Sequence, residues 1–433
     1  MADMAAVPPP SLARRLGLGD AVLIGLGSMI GAGVFAAFTP AAAAAGSGLL
    51  VGLGIAAVVA FCNATSSAQL AATFPVAGGS YQYGREQLGE WWGFLAGWGF
   101  VIGKTASAAA MALTFATYAV PAAWQRPVAA LALVVLALVN CRGITRTALL
   151  TRVVVAVVLS GLVILVLGVW LSGDLSAARL ELGSGTGGLY GTLQAAGLLF
   201  FAFAGYARIA TLGEEVRNPD RTIPRAIVIA LAGTVVIYAV VGVTLLLALG
   251  PEGVAAHPAP LTAAVDNGSW AALSPLVRVV AALASLGALL ALIAGIGRTT
   301  LAMARTGDLP RWLAAVHDRH RVPYRAELVV AAAAVVAVLL VDLRSVIGFS
   351  SFGVLLYYTV ANLSAVTQRG SARRYPRALQ VIGVAGCLTL VATLPWTSIL
   401  VGIAVFAVGV GYRVLNRHRR RVHPAPERSR PLS

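Results

Sequence analysis

The chain has 433 residues, 59% of them hydrophobic and only 11% charged, far from the roughly one quarter charged that a soluble domain carries. Its formal net charge of +16 would point to nucleic acid on a soluble surface; interleaved with apolar runs it excludes that partner and a soluble enzyme domain alike. Cys62, Cys141 and Cys387 are too widely spaced for a disulfide framework or a metal site.

Residues 1–16 read as a disordered cytoplasmic lead, since the Ala/Pro-rich start lacks the basic region of a cleaved signal peptide. Apolar runs of about 20 residues, each able to cross a bilayer, then recur along the chain. Twelve spans are predicted: about 17–41, 48–73, 91–120, 126–141, 147–171, 191–213, 224–249, 271–296, 326–342, 345–368, 376–394 and 396–415. The fourth and ninth are short. With the N-terminus inside, the cytoplasmic loops hold most of the arginines, among them Arg85, Arg142, Arg217, Arg305 and Arg373, plus a basic tail over 416–433. The outside loops hold only Arg126, Arg179 and Arg344. This asymmetry is the positive-inside rule. It predicts a multi-pass protein of the plasma (inner) membrane with both termini cytoplasmic.

The first span contains Gly27-Ser28-Met29-Ile30-Gly31-Ala32-Gly33-Val34-Phe35. Glycine at this density weakens a helix, in a medium that offers its backbone no other partner. Close helix packing is one use of such glycines, and it suffices for Gly99 and Gly103. In span 1 a second use is a break around a polar ligand: bare amides at a half-helix N-terminus stabilise a carboxylate, and freed carbonyls accept an ammonium. Span 6 carries a matching interruption at Phe201-Ala202-Phe203-Ala204-Gly205-Tyr206. Two interruptions five spans apart point to an inverted-repeat transport core over 17–370, with repeats 17–171 and 191–370. Helices 11 and 12 over 371–415 are an appendage to this five-plus-five core, and the fold class is all-α polytopic membrane protein.

The span 1 pattern resembles the amino acid–polyamine–organocation superfamily. So do Phe74-Pro75-Val76-Ala77-Gly78-Gly79-Ser80-Tyr81, the run from Phe201 through Gly213-Glu214-Glu215-Val216-Arg217-Asn218-Pro219-Asp220-Arg221, and Ala304-Arg305-Thr306-Gly307-Asp308-Leu309-Pro310. The resemblance implies the leucine-transporter fold and alternating access to a midplane site. It implies that a substrate carboxylate meets the amides of Gly31, Ala32 and Gly33, and that the amino group meets carbonyls at Met29, Phe201, Ala202 and Ala204. Phe201 matches an aromatic lid, and Ser28 lines the cavity. One departure stands out. Some proton-coupled members carry a lysine in span 5, where Val157 or Val158 stands here.

Lys104 is the chain's only lysine, in mid-span 3. Trp98 occupies the place where a phosphate-binding loop needs glycine, so nucleotide binding is excluded. An ionisable residue at that depth is a functional candidate, here for proton coupling, against the alternative of a structural lysine bonded to facing carbonyls. Arg208, Glu214, Glu215, Arg217 and Arg221 form a candidate inner gate. None of the five histidines lies in a span core, which argues against a metalloenzyme or an intramembrane hydrolase. The expected function is a secondary transporter of amino acids, proton-coupled or exchanging, with no catalytic residue, metal or cofactor. Neutral amino acids are the first choice because no carboxylate is found in the apolar cores while Lys104 and Arg208 are cationic. Anionic ones are possible, and cationic amino acids or polyamines are the family alternative. A channel or sensor is disfavoured by the paired breaks and the missing signalling domain.

Overall fold

A computed structural model describes residues 16–74, 78–143, 148–172, 175–180, 187–210 and 215–422. Among them every regular element is a helix, apart from one isolated parallel bridge between Leu16 and Val216. Ten helical stretches are long and apolar enough to cross a bilayer. These are spans 1 to 8, 10 and 12 of the predicted twelve. Spans 9 and 11, Tyr324–Leu340 and Arg377–Thr393, are helices of 17 residues each; at a rise of ~1.5 Å per residue each falls short of a hydrocarbon layer about 30 Å thick. The fourth span is longer than expected, because a 3-10 turn over Ala122–Trp124 feeds directly into the helix Gln125–Cys141.

Local chemistry sets the helix ends. The Asp342 carboxylate accepts from the Ser345 amide at 2.9 Å and caps span 10, Leu343–Thr367. Pro219 opens span 7, Pro219–Ala256, at the position where a missing N–H costs nothing. Span 12 runs as helix over Trp396–Val422. The first part of the expected basic tail is therefore helical, and the remainder lies outside the described residues.

Span 3, Glu90–Ala119, is the central rod, with span 10 and span 8 (Ser274–Arg305) packed on it. Backbones come close where side chains vanish. A Cβ on Gly353 would lie 2.8 Å from the Gly99 carbonyl oxygen, and one on Gly103 would lie 3.0 Å from the Val354 amide. These are small-residue contacts of the kind that hold membrane helices together.

Candidate functional site

Span 1 is helical over Leu18–Met29, turns at residues 30–32, and resumes over Gly33–Ala36 and Phe38–Ala45. The Ile30 amide still bonds Leu26, and the Ala36 amide bonds Ala32, whereas the amides of Gly31, Ala32 and Gly33 reach no backbone acceptor among the described residues. Span 6 is α-helical over Gly188–Phe203, tightens to a 3-10 turn over Ala204–Tyr206 and resumes over Ala207–Ala210. Both interruptions are narrower than the glycine windows in the sequence, since a tight turn with right-handed dihedrals suffices: Ile30 and Ala32 keep φ near −71° and −70°. They also touch each other. A Cβ on Gly205 would collide with the Ser28 carbonyl, and one on Gly33 would lie 2.6 Å from the Ala202 Cβ.

A cavity opens beside this crossing. Ser28, Met29, Gly33, Phe201, Ala202, Ala204 and Gly205 reach it from the two interrupted spans, and Lys104 and Arg208 line it as well. Gly31, Ala32 and Phe203 are buried but lie outside its wall. Gly31 instead packs on span 8, where its Cβ would meet the Ala288 Cβ at 2.6 Å. The Ser28 hydroxyl turns back to the Ile24 carbonyl at 2.8 Å.

Three of the four carbonyls assigned to a substrate ammonium already accept from side chains. Tyr238 of span 7 donates toward the Met29 carbonyl at 2.5 Å and the Ala202 carbonyl at 3.0 Å, so one hydroxyl straps the two interruptions together. The Lys104 Nζ donates to the Ala204 carbonyl at 2.9 Å and has no carboxylate partner among the described residues. Each carbonyl oxygen keeps a second lone pair for a ligand.

At the end of the bundle that carries the arginine-rich loops, Glu215 stands 4.0 Å from Arg298 of span 8. Leu16 pairs with this same segment: its amide donates to the Glu215 carbonyl, and the Leu16 carbonyl accepts from the Arg217 amide. Asp20 at the start of span 1 binds Arg152 of span 5 at 2.5 Å. Arg217 and Arg221 are exposed. Glu214 lies outside the described residues, as do Pro75, Val76 and Ala77 of the second motif. Toward the other end of span 1 Phe35, Phe38 and Tyr118 are buried, as is Tyr238 beside Phe38, and the Tyr118 hydroxyl donates to the Phe35 carbonyl at 3.0 Å.

Tyr238, Arg298 and Glu327 escaped the sequence reading. A tyrosine in an apolar span carries no periodic signal, and Arg298 looked like loop charge. Glu327 corrects the expectation that the apolar cores hold no carboxylate. It lies in the first turn of span 9, is 2% exposed, and accepts from the Cys141 thiol at 3.8 Å. No group of three or more His, Cys, Asp or Glu among the described residues is placed to hold a metal ion.

An all-helical polytopic chain with interrupted spans crossing beside a cavity that both of them line has the build of a membrane transporter. The amino acid permease family pattern matches residues 20–418, and the chain belongs to that family. It is 56% identical over 416 residues to an uncharacterized transporter of Mycobacterium tuberculosis, covering 95% of this chain and 94% of that one. A branched-chain amino acid permease of Bacillus subtilis is 25% identical over 440 residues, 92% of each chain. A vacuolar cationic amino acid transporter of Arabidopsis thaliana is 30% identical over 394 residues, 83% of this chain and 64% of that one.

Proposed function

We propose that this protein is a secondary active transporter that carries amino acids across the plasma membrane by alternating access, with a five-plus-five inverted repeat as its moving core and both termini in the cytoplasm. One observation carries the reading: two interrupted spans cross at Gly205 and Ser28 beside a cavity that both of them line. At such a crossing, backbone dipoles serve both ends of a zwitterion. Carbonyls such as that of Phe201 receive the ammonium, and the Gly33 amide and the half-helix behind it face the carboxylate.

The buried aromatic layer of Phe35, Phe38, Tyr118 and Tyr238 closes the outer end, and the Glu215–Arg298 pair stands at the inner end. Binding of substrate between these layers biases which of them opens. Lys104 bridges span 3 to the span 6 turn, so loss of its proton turns a charge-assisted hydrogen bond to the Ala204 carbonyl into a weaker neutral one and loosens that tie; this is the proposed route to proton coupling or exchange. Purified protein in proteoliposomes tests the function. Saturable amino acid uptake with counterflow is expected, and uptake that neither saturates nor shows counterflow would mark a channel.

A further inference from the structure

The loop between spans 8 and 9 folds into a compact basic unit against the ends of spans 4 and 9. The His317 amide donates to the Val322 carbonyl, and the Arg321 amide donates to the His317 carbonyl at 2.8 Å. The His317 ring packs on those of His320 and Tyr324, with centroids 4.8 and 5.8 Å apart. Gly143, just past span 4, sits on the same loop: a Cβ there would lie 3.2 Å from the His320 carbonyl oxygen. Arg325, in the first turn of span 9, stacks over the Tyr324 ring and donates to the Trp312 carbonyl at 3.4 Å.

This unit exposes Arg142, Arg311, Arg319, Arg321 and Arg325. Against them its described residues expose a single acid, Asp318, while Glu327 is buried behind. The side chains of Arg142, Arg311, Arg319 and Arg321 pair with no carboxylate among the described residues. Arg321 holds φ at 56°, a left-handed backbone that disfavours a residue with a Cβ. Glycine would take that turn without strain, so the arginine is no aid to the folding of the loop.

Like charges gathered this way repel one another unless an anion lies among them. The surroundings say which anion. Leu328 and Val329, one turn into span 9, are exposed, and Trp312 is 52% exposed. Tryptophan and arginine at the rim of an apolar span mark the headgroup layer of a bilayer, where the anion at hand is a phosphodiester. Guanidinium groups hold phosphate oxygens through paired N–H donors, and acyl chains cover exposed leucine and valine.

We propose that this unit is a binding site for an anionic phospholipid, whose phosphate meets the arginines of the loop while its acyl chains lie along span 9. The inference takes from the transporter reading only that this end faces the cytoplasmic leaflet, and it holds for any substrate.

Native mass spectrometry and thermal unfolding of the detergent-solubilised full chain test it. The probes are phosphatidylglycerol and phosphatidylcholine with identical acyl chains; the second carries the same phosphate beside a fixed cation, which the arginines repel. Phosphatidylglycerol should stay bound and raise the unfolding midpoint more than phosphatidylcholine does, and the difference should shrink with added salt. Arg319→Gln combined with Arg321→Gly should lower phosphatidylglycerol affinity about thirtyfold, the weight of two basic side chains at an anionic surface. The midpoint in lipid-free detergent should not fall, because glycine relieves the turn. Arg369→Gln combined with Arg377→Gln removes the same charge from exposed positions between spans 10 and 11 and should leave the affinity nearly unchanged. Equal losses in the two double variants would mean diffuse attraction by net charge and overturn the site. Equal retention of both lipids by the wild type, which needs no variant to fold, would overturn the anionic headgroup. Displacement of phosphatidylglycerol by inorganic phosphate would assign the arginines to a soluble anion instead. None of these readouts involves transport, so loss of the lipid site leaves the transporter standing, and absence of amino acid counterflow leaves the lipid site standing.

Discussion

At Gly205 a hydrogen does what no side chain could do. The Ser28 carbonyl and the Met29 amide occupy the volume that a Cβ would need, and backbone atoms cannot swing away as a flexible side chain can. Gly205→Ala should therefore push the two interruptions apart, at a cost of about 1–3 kcal/mol for overpacking, and lower transport more than stability. A thermal unfolding series read beside uptake rates checks this; an alanine variant with wild-type uptake would show that the crossing is not the site. Lys104 invites a different test. Its single hydrogen bond runs to the Ala204 carbonyl, a group that changes environment whenever span 6 moves. Lys104→Ala should abolish the pH dependence of uptake while counterflow persists at a reduced rate, and pH-dependent uptake surviving in the variant would remove Lys104 as the coupling group. The glycines and this lysine were legible in the sequence because each is a composition anomaly within an apolar span. Tyr238, which straps Met29 to Ala202, was not, because a lone tyrosine in a span resembles any buried aromatic until its partner is known.

Among the ties that fasten span 12 to the rest of the bundle is a buried arginine. Arg413, 2% exposed, pairs with Asp308 at 2.6 Å, and its guanidinium lies over the rings of Trp91 and Phe94 at 4.8 and 4.7 Å. Asp308 also binds Arg85 at 3.2 Å and accepts from the Tyr81 hydroxyl at 2.9 Å. Burial, ahead of the Asp308 charge, pushes the Tyr81 phenol up to about 12, so it remains a donor throughout the physiological range. Glu90 completes the cluster with Arg85, Arg413 and Arg417. The appended helix thus grips the short helix Ser80–Leu88, the start of span 3 and the turn after span 8 at once. Removing Arg413 leaves the buried Asp308 carboxylate with Arg85 as its remaining cation, so Arg413→Ala should cost about 3 kcal/mol, the lower end for a broken buried pair. The readout is a lowered unfolding midpoint in detergent, with span 12 the first segment to gain amide exchange. An unshifted midpoint would mean the cluster is surface decoration. Sequence alone could not find it: Arg413 stands among the arginines of a basic segment, and only the fold brings it to Asp308, over 100 residues earlier.

At the scale of the molecule, two independent signals in the sequence had to agree. Apolar period and length gave the helices, and most of them stand where the runs predicted. The misjudged ends were those set by turns and kinks: 3-10 residues lengthen the fourth span, the seventh runs over Pro219–Ala256 past a kink at Gly250, the eighth reaches Arg305, and a helix of 17 residues leaves the eleventh short. The candidate site showed in the sequence as two windows of weak helix but not as a cavity, since its wall is assembled from spans 1, 3, 6 and 8, which lie far apart in the chain. Charge placement carries the proposed orientation, and it makes a prediction that the helices alone do not. Arginine-rich loops stay on the cytoplasmic side because moving them across the bilayer is costly during insertion. Ala123, exposed in the turn that opens span 4, should then face outward, and Asp318, exposed between spans 8 and 9, should face inward. In a background with Cys62, Cys141 and Cys387 replaced, a membrane-impermeant maleimide added to intact cells should label Ala123→Cys and spare Asp318→Cys until the cells are opened. The reverse pattern would invert the whole molecule, put the Glu215–Arg298 pair on the outer face and assign the buried aromatic layer to the inner gate.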